Sequence, residues 1–234
     1  MCAAVERQVF WGVIMAEQSE SERNRRLLDA VLPHVLFDGW SRAAMKGAAA
    51  DLGVDISVFD LAFPDGATDM IRLFVETADD EMEAELQKRD VLSLKIRDRI
   101  TLAIRLRLEL YAPHKEAVRR AVNILALPQN MALGTKLTAN TVSRMWWASG
   151  DMSSDINWYT KRLTLAAVYG ATLLYWLADK SDGHEKTWEF LDRRIENVMQ
   201  FETAKFKARQ KLKEKPDLSH IPSPRRFWRN LTER

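Results

Sequence analysis

The chain has 234 residues and a mass of 27.0 kDa, and its hydrophobic (47%) and charged (29%) fractions are typical of a globular protein. A single cysteine, Cys2, excludes a disulfide framework, and nine glycines with seven prolines are too few for a fold built on many tight turns. The net charge of +2 is unevenly distributed, because the segment from Lys205 onward holds ten basic and three acidic residues.

The first residues contain a short apolar run but neither a basic region nor a small-residue cleavage site. We therefore expect residues 1–21 to form a flexible extension without a targeting signal. Whether residues 1–14 belong to the native protein is left open.

Three helices are predicted over residues 22–66. Apolar residues recur at helical spacing from Glu22 to Phe37, Ser41 caps a second helix that ends at Gly53, and a third runs from Ile56 to Phe63. Three short helices with a glycine turn between the second and third are the outline of a helix-turn-helix.

Charge opposes DNA binding by this predicted helix-turn-helix. From Trp40 to Gly66 the basic residues are Arg42 and Lys46, against four aspartates. Acidic side chains on a helix in the major groove would be repelled by the phosphates. The sequence thus predicts no nucleic-acid partner.

Helical periodicity continues through residues 67–213, which we interpret as a larger helical domain. The segment from Ser93 to Tyr111 is ambiguous, because Ile104 to Leu110 alternates like a strand. We favour a helix there, since leucine and arginine are good helix formers and no neighbouring segment pairs as a second strand. The remaining predicted helices are 67–86, 115–127, 134–149 and 186–213.

The central segment runs from Asp151 to Ser181 and contains sixteen residues without a charge, Leu163 to Ala178. This run is shorter than the roughly 20 residues that span a bilayer. It predicts a helix that is buried on nearly all sides and begins at Ser153, Ser154 and Asp155. Two interpretations stay open: an ordinary core helix, or one wall of an apolar ligand cavity.

Motifs for catalysis are missing from the sequence. It contains no glycine-rich phosphate loop, no His-Glu-x-x-His and no Gly-x-Ser-x-Gly. His34, His114, His184 and His220 lie on different segments, and no Glu-x-x-His pair exists for a di-iron centre. The sequence therefore predicts no enzyme activity, no bound metal and no cofactor.

Two exposed apolar features are predicted. Trp158 and Tyr159 are adjacent on a helix, so both cannot easily face one core; with Met145 and Arg162 nearby they have the composition of a protein-binding surface. The alternative, that both side chains lie in a core groove, stays open.

The second feature is the C-terminal tail, residues 214–234, in which apolar side chains are framed by arginines. Such a segment favours reversible docking on an anionic membrane, and the alternatives are a tail that packs on its own domain or stays disordered. The side chains concerned are Arg225, Arg226, Phe227, Trp228, Arg229 and Leu231.

The signature segments are Asp151–Arg162, Leu165–Thr172, Asp179–Ser181, Thr187–Asn197 and Lys95–Ile100. In these the chain resembles the Coq-nine family of lipid-binding accessory proteins in ubiquinone biosynthesis. The resemblance covers about residues 22–205. It implies an all-α, TetR-like fold with an N-terminal helix-turn-helix-like subdomain and a larger helical domain that holds an isoprenoid or other lipid.

The resemblance also implies that the chain binds isoprenoid quinone intermediates and presents them to a partner, the di-iron demethoxyubiquinone hydroxylase. It places the partner surface at Met145, Trp158, Tyr159 and Arg162, and the C-terminal helix on the membrane. Combined with the central helix, it suggests a set of cavity residues. These are Leu102, Leu106, Leu165, Val168, Tyr169, Thr172, Trp176 and Trp188.

We expect a cytoplasmic protein, peripheral on the inner membrane of a bacterium, or on the matrix side if the chain is mitochondrial. A homodimer is left open. The alternative function is a TetR-like transcriptional regulator that senses a lipid.

Overall fold

The computed structural model describes residues 19–150 and 156–213, and the side chains of residues 19–150, 159–201 and 204. Within these ranges the chain forms α-helices joined by short 3₁₀ turns, and it contains no β-strand. The all-α prediction is confirmed. The helices are α1 (Glu20–Asp38), α2 (Arg42–Leu52), α3 (Ser57–Ala62), α4 (Ala67–Gln87), α5 (Ile96–Tyr111), α6 (Lys115–Leu125), α7 (Met131–Ala148), α8 (Ile156–Ala178) and α9 (Glu185–Lys213).

Local capping sets the ends of the first two helices. Ser19 precedes α1 and exchanges hydrogen bonds with Glu22, a capping box that satisfies free N–H groups at the helix start. Ser41 accepts hydrogen bonds from the first backbone N–H groups of α2, and Gly53 ends α2 in the left-handed conformation with φ +67°. The predicted caps at Ser153, Ser154 and Asp155 lie outside the described residues.

Helix α5 resolves the ambiguous alternation in favour of a helix. Its residues Ile104, Leu106 and Leu108 are all buried, because α4, α7 and α8 pack around it. The exposed side of α5 is narrow and carries the ion pair between Arg105 and Glu109, so most of its apolar positions face neighbouring helices, and here they happen to alternate.

The N-terminal three-helix module is joined to the larger domain through α6. The Trp40 indole donates a hydrogen bond from Nε1 to the carbonyl oxygen of Ala117 (2.9 Å). Arg120 of α6 donates to the carbonyl oxygen of Leu36 (2.8 Å), in the last turn of α1. A basic side chain at this position satisfies free carbonyls and complements the helix dipole.

In the larger domain, α4 packs against both α5 and α7, and α7 packs against α8. Ion pairs bind the outer side of α4 to its neighbours. Arg144 of α7 pairs with Glu83 (2.9 Å) and with Asp80, and Arg25 of α1 pairs with Asp80 as well. The described residues up to Asp192 form one compact unit, and those from Arg193 onward form a second.

The turn between α8 and α9 is organised by Asp179, which is buried. Its carboxylate accepts hydrogen bonds from the backbone N–H and hydroxyl of Ser181 and from those of Thr187. Burial by itself would raise the pKa of Asp179, but these four hydrogen bonds lower it well below the ordinary value.

We predict that Asp179→Asn lowers the free energy of unfolding at pH 7 by about 2 kcal/mol, because a carboxylate binds these donors more strongly than an amide does. A lowered native pKa means that the contribution is fully present above the unfolded pKa of about 3.9 and is lost as the pH falls below it. Urea unfolding measures the free energy of unfolding of both proteins, and the difference between wild type and Asp179→Asn should be smaller at pH 3 than at pH 7. The neighbouring, exposed Asp182→Asn serves as the control, and a difference that stays constant down to pH 3 would contradict the assignment.

Candidate ligand-binding cavity

A cavity of about 800 Å³ lies among α4, α6, α7 and α8, with the end of α5 at its inner side. This volume falls within the range of about 300–1,000 Å³ that is usual for small-molecule sites. Apolar residues dominate its lining. They include Phe74, Val75, Val118, Ala121, Val122, Leu125, Met131, Leu137, Val142, Leu163, Ala166, Leu173 and Leu174.

Small residues create part of this space. Ala166 and Gly170 lie one turn apart on the cavity face of α8, and no atom lies within 4 Å of where a Cβ on Gly170 would be. Gly134 on α7 has a different role. A Cβ there would meet the Cβ and carbonyl oxygen of Leu125 at 3.3 Å, so this glycine allows α7 to approach α6 closely.

Of the eight residues predicted to bind lipid, the structure places Tyr169 in the cavity lining. The others lie on other surfaces of their helices. Leu165, Val168, Thr172 and Trp176 are buried on α8, but at about 100° per residue they face roughly 100–180° away from the cavity stripe through Ala166 and Gly170. Leu106 is also buried, and Leu102 and Trp188 are half-buried.

A buried ion pair lies behind the inner wall. Arg107 of α5 is fully buried and donates from Nε to Asp79 Oδ1 of α4 (2.8 Å). The other carboxylate oxygen of Asp79 accepts from the hydroxyl of Thr141 on α7 (2.9 Å), and Arg107 Nη2 donates to the Tyr111 hydroxyl (2.6 Å). Burial raises the pKa of Tyr111, so the phenol stays protonated. Thr141 and Tyr111 both line the cavity.

Sequence reasoning did not find this network. Ala103, Arg107 and Tyr111 follow one another at intervals of four residues, so Arg107 falls on the inward stripe of α5. The sequence signal for this network was an arginine on the apolar stripe of a helix, followed one turn later by a tyrosine. Only the structure supplies the partner, Asp79, which is the buried member of the acidic residues in the second half of α4.

The outer rim of the cavity carries exposed apolar side chains. Tyr159 is 72% exposed and Leu163 is 75% exposed, and Leu174 and Met131 are exposed too. Adjacent exposed apolar groups of this size mark an interaction surface or the mouth of a ligand site.

The predicted partner residues take different positions. Tyr159 is on the rim, whereas Met145 is buried in α7 and Arg162 is buried and lines the cavity. The Arg162 guanidinium contacts the hydroxyl of Ser143 at 3.3 Å. The side chain of Trp158 lies outside the described residues, as do the tail residues Arg225 to Leu231.

The described residues contain neither a cluster of metal ligands nor a membrane-spanning helix. Among the described side chains, those of residues 19–150, 159–201 and 204, no three His, Cys, Asp or Glu come together as a metal site. Across residues 19–150 and 156–213, no helix has both the length and the hydropathy needed to cross a bilayer.

The sequence is similar to that of curated mitochondrial proteins. It is 34% identical over 189 residues to the ubiquinone biosynthesis protein COQ9 of Rattus norvegicus, and 33% identical to that of Homo sapiens. The Drosophila melanogaster protein is 34% identical over 192 residues. The alignments cover 78–80% of this chain and 59–60% of these relatives, so the chain spans about three fifths of their length.

The fold is similar to that of a solved TetR transcriptional regulator from Nitrosomonas europaea. The TM-score is 0.63 at 19% sequence identity, over 76% of this chain and 98% of the regulator. This likeness confirms the predicted TetR-like fold. The COQ9 family model matches residues 131–202, which comprise α7, α8 and the first part of α9. The predicted resemblance is thereby confirmed: residues 131–202 match the COQ9 family model, and the fold is similar to that of a TetR regulator.

Proposed function

We propose that the chain is a lipid-binding accessory protein of ubiquinone biosynthesis, without enzyme activity of its own, that holds an isoprenoid quinone intermediate and presents it to the demethoxyubiquinone hydroxylase. The observation that supports this proposal most directly is the apolar cavity of about 800 Å³ beside Tyr169, in the domain that matches the COQ9 family. The names of the COQ9 relatives supply the pathway.

The physical need for such a protein follows from the ligand. Each CH₂ group is worth about 0.8 kcal/mol on burial, so a polyprenyl chain partitions strongly out of water. An enzyme beside the membrane therefore gains access to the quinone head when another protein shields the chain. A cavity lined by aliphatic side chains supplies that environment.

The partner surface in this proposal is the cavity rim. Tyr159 and Leu163 lie one turn apart on α8, are both largely exposed, and border the cavity. A hydroxylase docked there would cover the mouth through which the ligand leaves. Tyrosine is one of the residue types that contribute most of the energy of protein interfaces when they become buried, and Leu163 adds apolar area to the contact.

Membrane docking by the tail completes the proposal. The tail lies outside the described residues, so this step rests on its arginines and aromatic side chains. The relatives are mitochondrial proteins, and for this chain we propose a peripheral position on the matrix side of the membrane, or on the inner membrane of a bacterium.

The electrostatics of the three-helix module weigh against the lipid-sensing regulator as the alternative. Arg42, one of two basic residues between Trp40 and Gly66, is paired with Asp60 of α3 at 2.5 Å. A helix that approaches phosphates needs unpaired positive charge at its surface. The TetR likeness at 19% identity concerns the fold alone.

We predict that isoprenoid quinone lipids are extracted with the purified protein and detected by mass spectrometry. Gly170→Phe should reduce their amount, because the added ring occupies the open space at that position. Gly170→Ala is the matched control. It should keep the lipid and raise the free energy of unfolding by about 0.5–1 kcal/mol through helix propensity. Equal lipid content in the Phe variant and wild type, or no such lipid in either, would contradict the proposal.

For the partner surface, we predict that Tyr159→Ser combined with Leu163→Ser weakens binding to the hydroxylase at least tenfold, since two apolar contacts are removed from the interface. Co-purification and titration by calorimetry measure the effect. Phe37→Ser, which removes an 85% exposed side chain from α1, is the control and should bind normally. Unchanged binding by the double variant would show that the rim is not part of the interface.

For the tail, we predict that the full chain floats with liposomes that contain anionic lipid, and that a chain lacking residues 216–234 does not. Raising the salt concentration should reduce flotation, because screening weakens the attraction of the arginines. Equal flotation of both chains would reject the tail as the membrane contact.

A further inference from the structure

We infer that the cavity has a polar inner end, formed by the Tyr169 hydroxyl and the buried Arg107 behind it, that binds an acceptor oxygen on the head of a single-chain lipid. The lipid then lies with its head inward and its chain toward the rim at Leu163 and Met131. This inference rests on the proposed lipid-binding function and adds the chemistry and the orientation of the bound ligand.

The inner end holds hydrogen-bond donors that the protein does not use. Arg107 donates hydrogen bonds from Nε to Asp79 and from Nη2 to the Tyr111 hydroxyl and the carbonyl oxygen of Val75. Its buried Nη1 has no partner among the described residues. The Tyr169 hydroxyl likewise makes no hydrogen bond within that part of the chain, although the side chain is 95% buried. A buried donor without a partner costs about 1–3 kcal/mol.

One of these donors lines the cavity and the other lies directly behind the lining residues. Tyr169 is part of the lining, and so are Val75 and Tyr111, both of which Arg107 contacts. The guanidinium is therefore one side chain behind the wall. It is also close enough to Tyr169 to act electrostatically on its phenol, whose pKa is raised by burial and held down in part by Arg107.

The unused groups determine the class of ligand. The Arg107 guanidinium can only donate and the Tyr169 hydroxyl can donate as well as accept, whereas the acceptors of Asp79 are already occupied by Arg107 and Thr141. The complement is an oxygen that accepts hydrogen bonds, such as a quinone carbonyl or a carboxylate. Since Asp79 balances the charge of Arg107, a neutral carbonyl loses less hydration than a carboxylate on entering this site. With the head inward, the oxidisable ring is shielded from water while the lipid is carried, and the head meets the hydroxylase only when the ligand leaves through the rim.

The test compares two probes of similar shape, a ubiquinone with a decyl tail and decylbenzene, by displacement of the neutral fluorophore N-phenyl-1-naphthylamine from the full chain. Wild type should bind the quinone more tightly than decylbenzene. Tyr169→Phe should weaken the quinone about fivefold, the effect of one lost hydrogen bond, and leave decylbenzene unchanged. Tyr175→Phe, outside the cavity lining and stacked on Phe190 at 4.5 Å, should change neither.

Palmitate forms a third arm. If Tyr169→Phe weakens palmitate more than the quinone, the oxygen that the site selects is a carboxylate; the reverse identifies a carbonyl, and both results support a polar inner end. If Tyr169→Phe weakens the binding of all three probes equally, or of none, the polar inner end is contradicted, whereas lipid binding in the apolar cavity is not. If wild type binds no probe, the inference and the proposed lipid binding both fail.

Discussion

The salt bridge between Arg107 and Asp79 joins α5 to α4 at the inner side of the cavity, and Thr141 of α7 is bonded to the same carboxylate. These contacts fix α4, α5 and α7 relative to one another beside the cavity, which contains no side chains that would keep its walls apart. Removing one partner of such a buried pair costs about 3–5 kcal/mol, yet apolar residues of the same volume are often equally stable in its place. Stability alone therefore does not account for a charged pair at this position, whereas the polar inner end that we propose for the ligand would.

Most of the fold could be predicted from the sequence, because the helices are marked by signals that act locally. Ser41 and Gly53 bracket α2 by capping geometry, and Pro113 and Pro128 stand at breaks between helices where a missing N–H group disfavours continuation. Such signals depend on a few neighbouring residues. The exception was α5, whose alternating pattern could be resolved only by asking what a strand there would pair with.

The cavity was predictable as a feature of α8 but not in its orientation. Because α8 is apolar on nearly all sides, its sequence has no polar face from which to infer which side is packed and which is open. Large residues such as Leu165 and Trp176 were predicted to line the cavity, but large side chains fill space and so lie where helices pack tightly. The open face carries Ala166 and Gly170, whose small size leaves the volume unfilled. A stripe of small residues on an apolar helix was thus the more informative signal.

Helix α6 limits where the proposed ligand could enter. One side of α6 lines the cavity, and its other contacts anchor it at both flanks. The indole of Trp40 and the side chain of Arg120 bind it to the three-helix module, while Lys115 and Arg119 donate to the carbonyl oxygens of Asp179 and Leu177 at the end of α8. Displacing α6 would break all four contacts together. The rim formed by Met131 at the start of α7 and the exposed residues of α8 carries apolar side chains in contact with water, so entry of the proposed ligand there costs least. The proposed ligand mouth and the proposed hydroxylase surface therefore coincide for a physical reason, because the four contacts of α6 hold that side of the cavity closed.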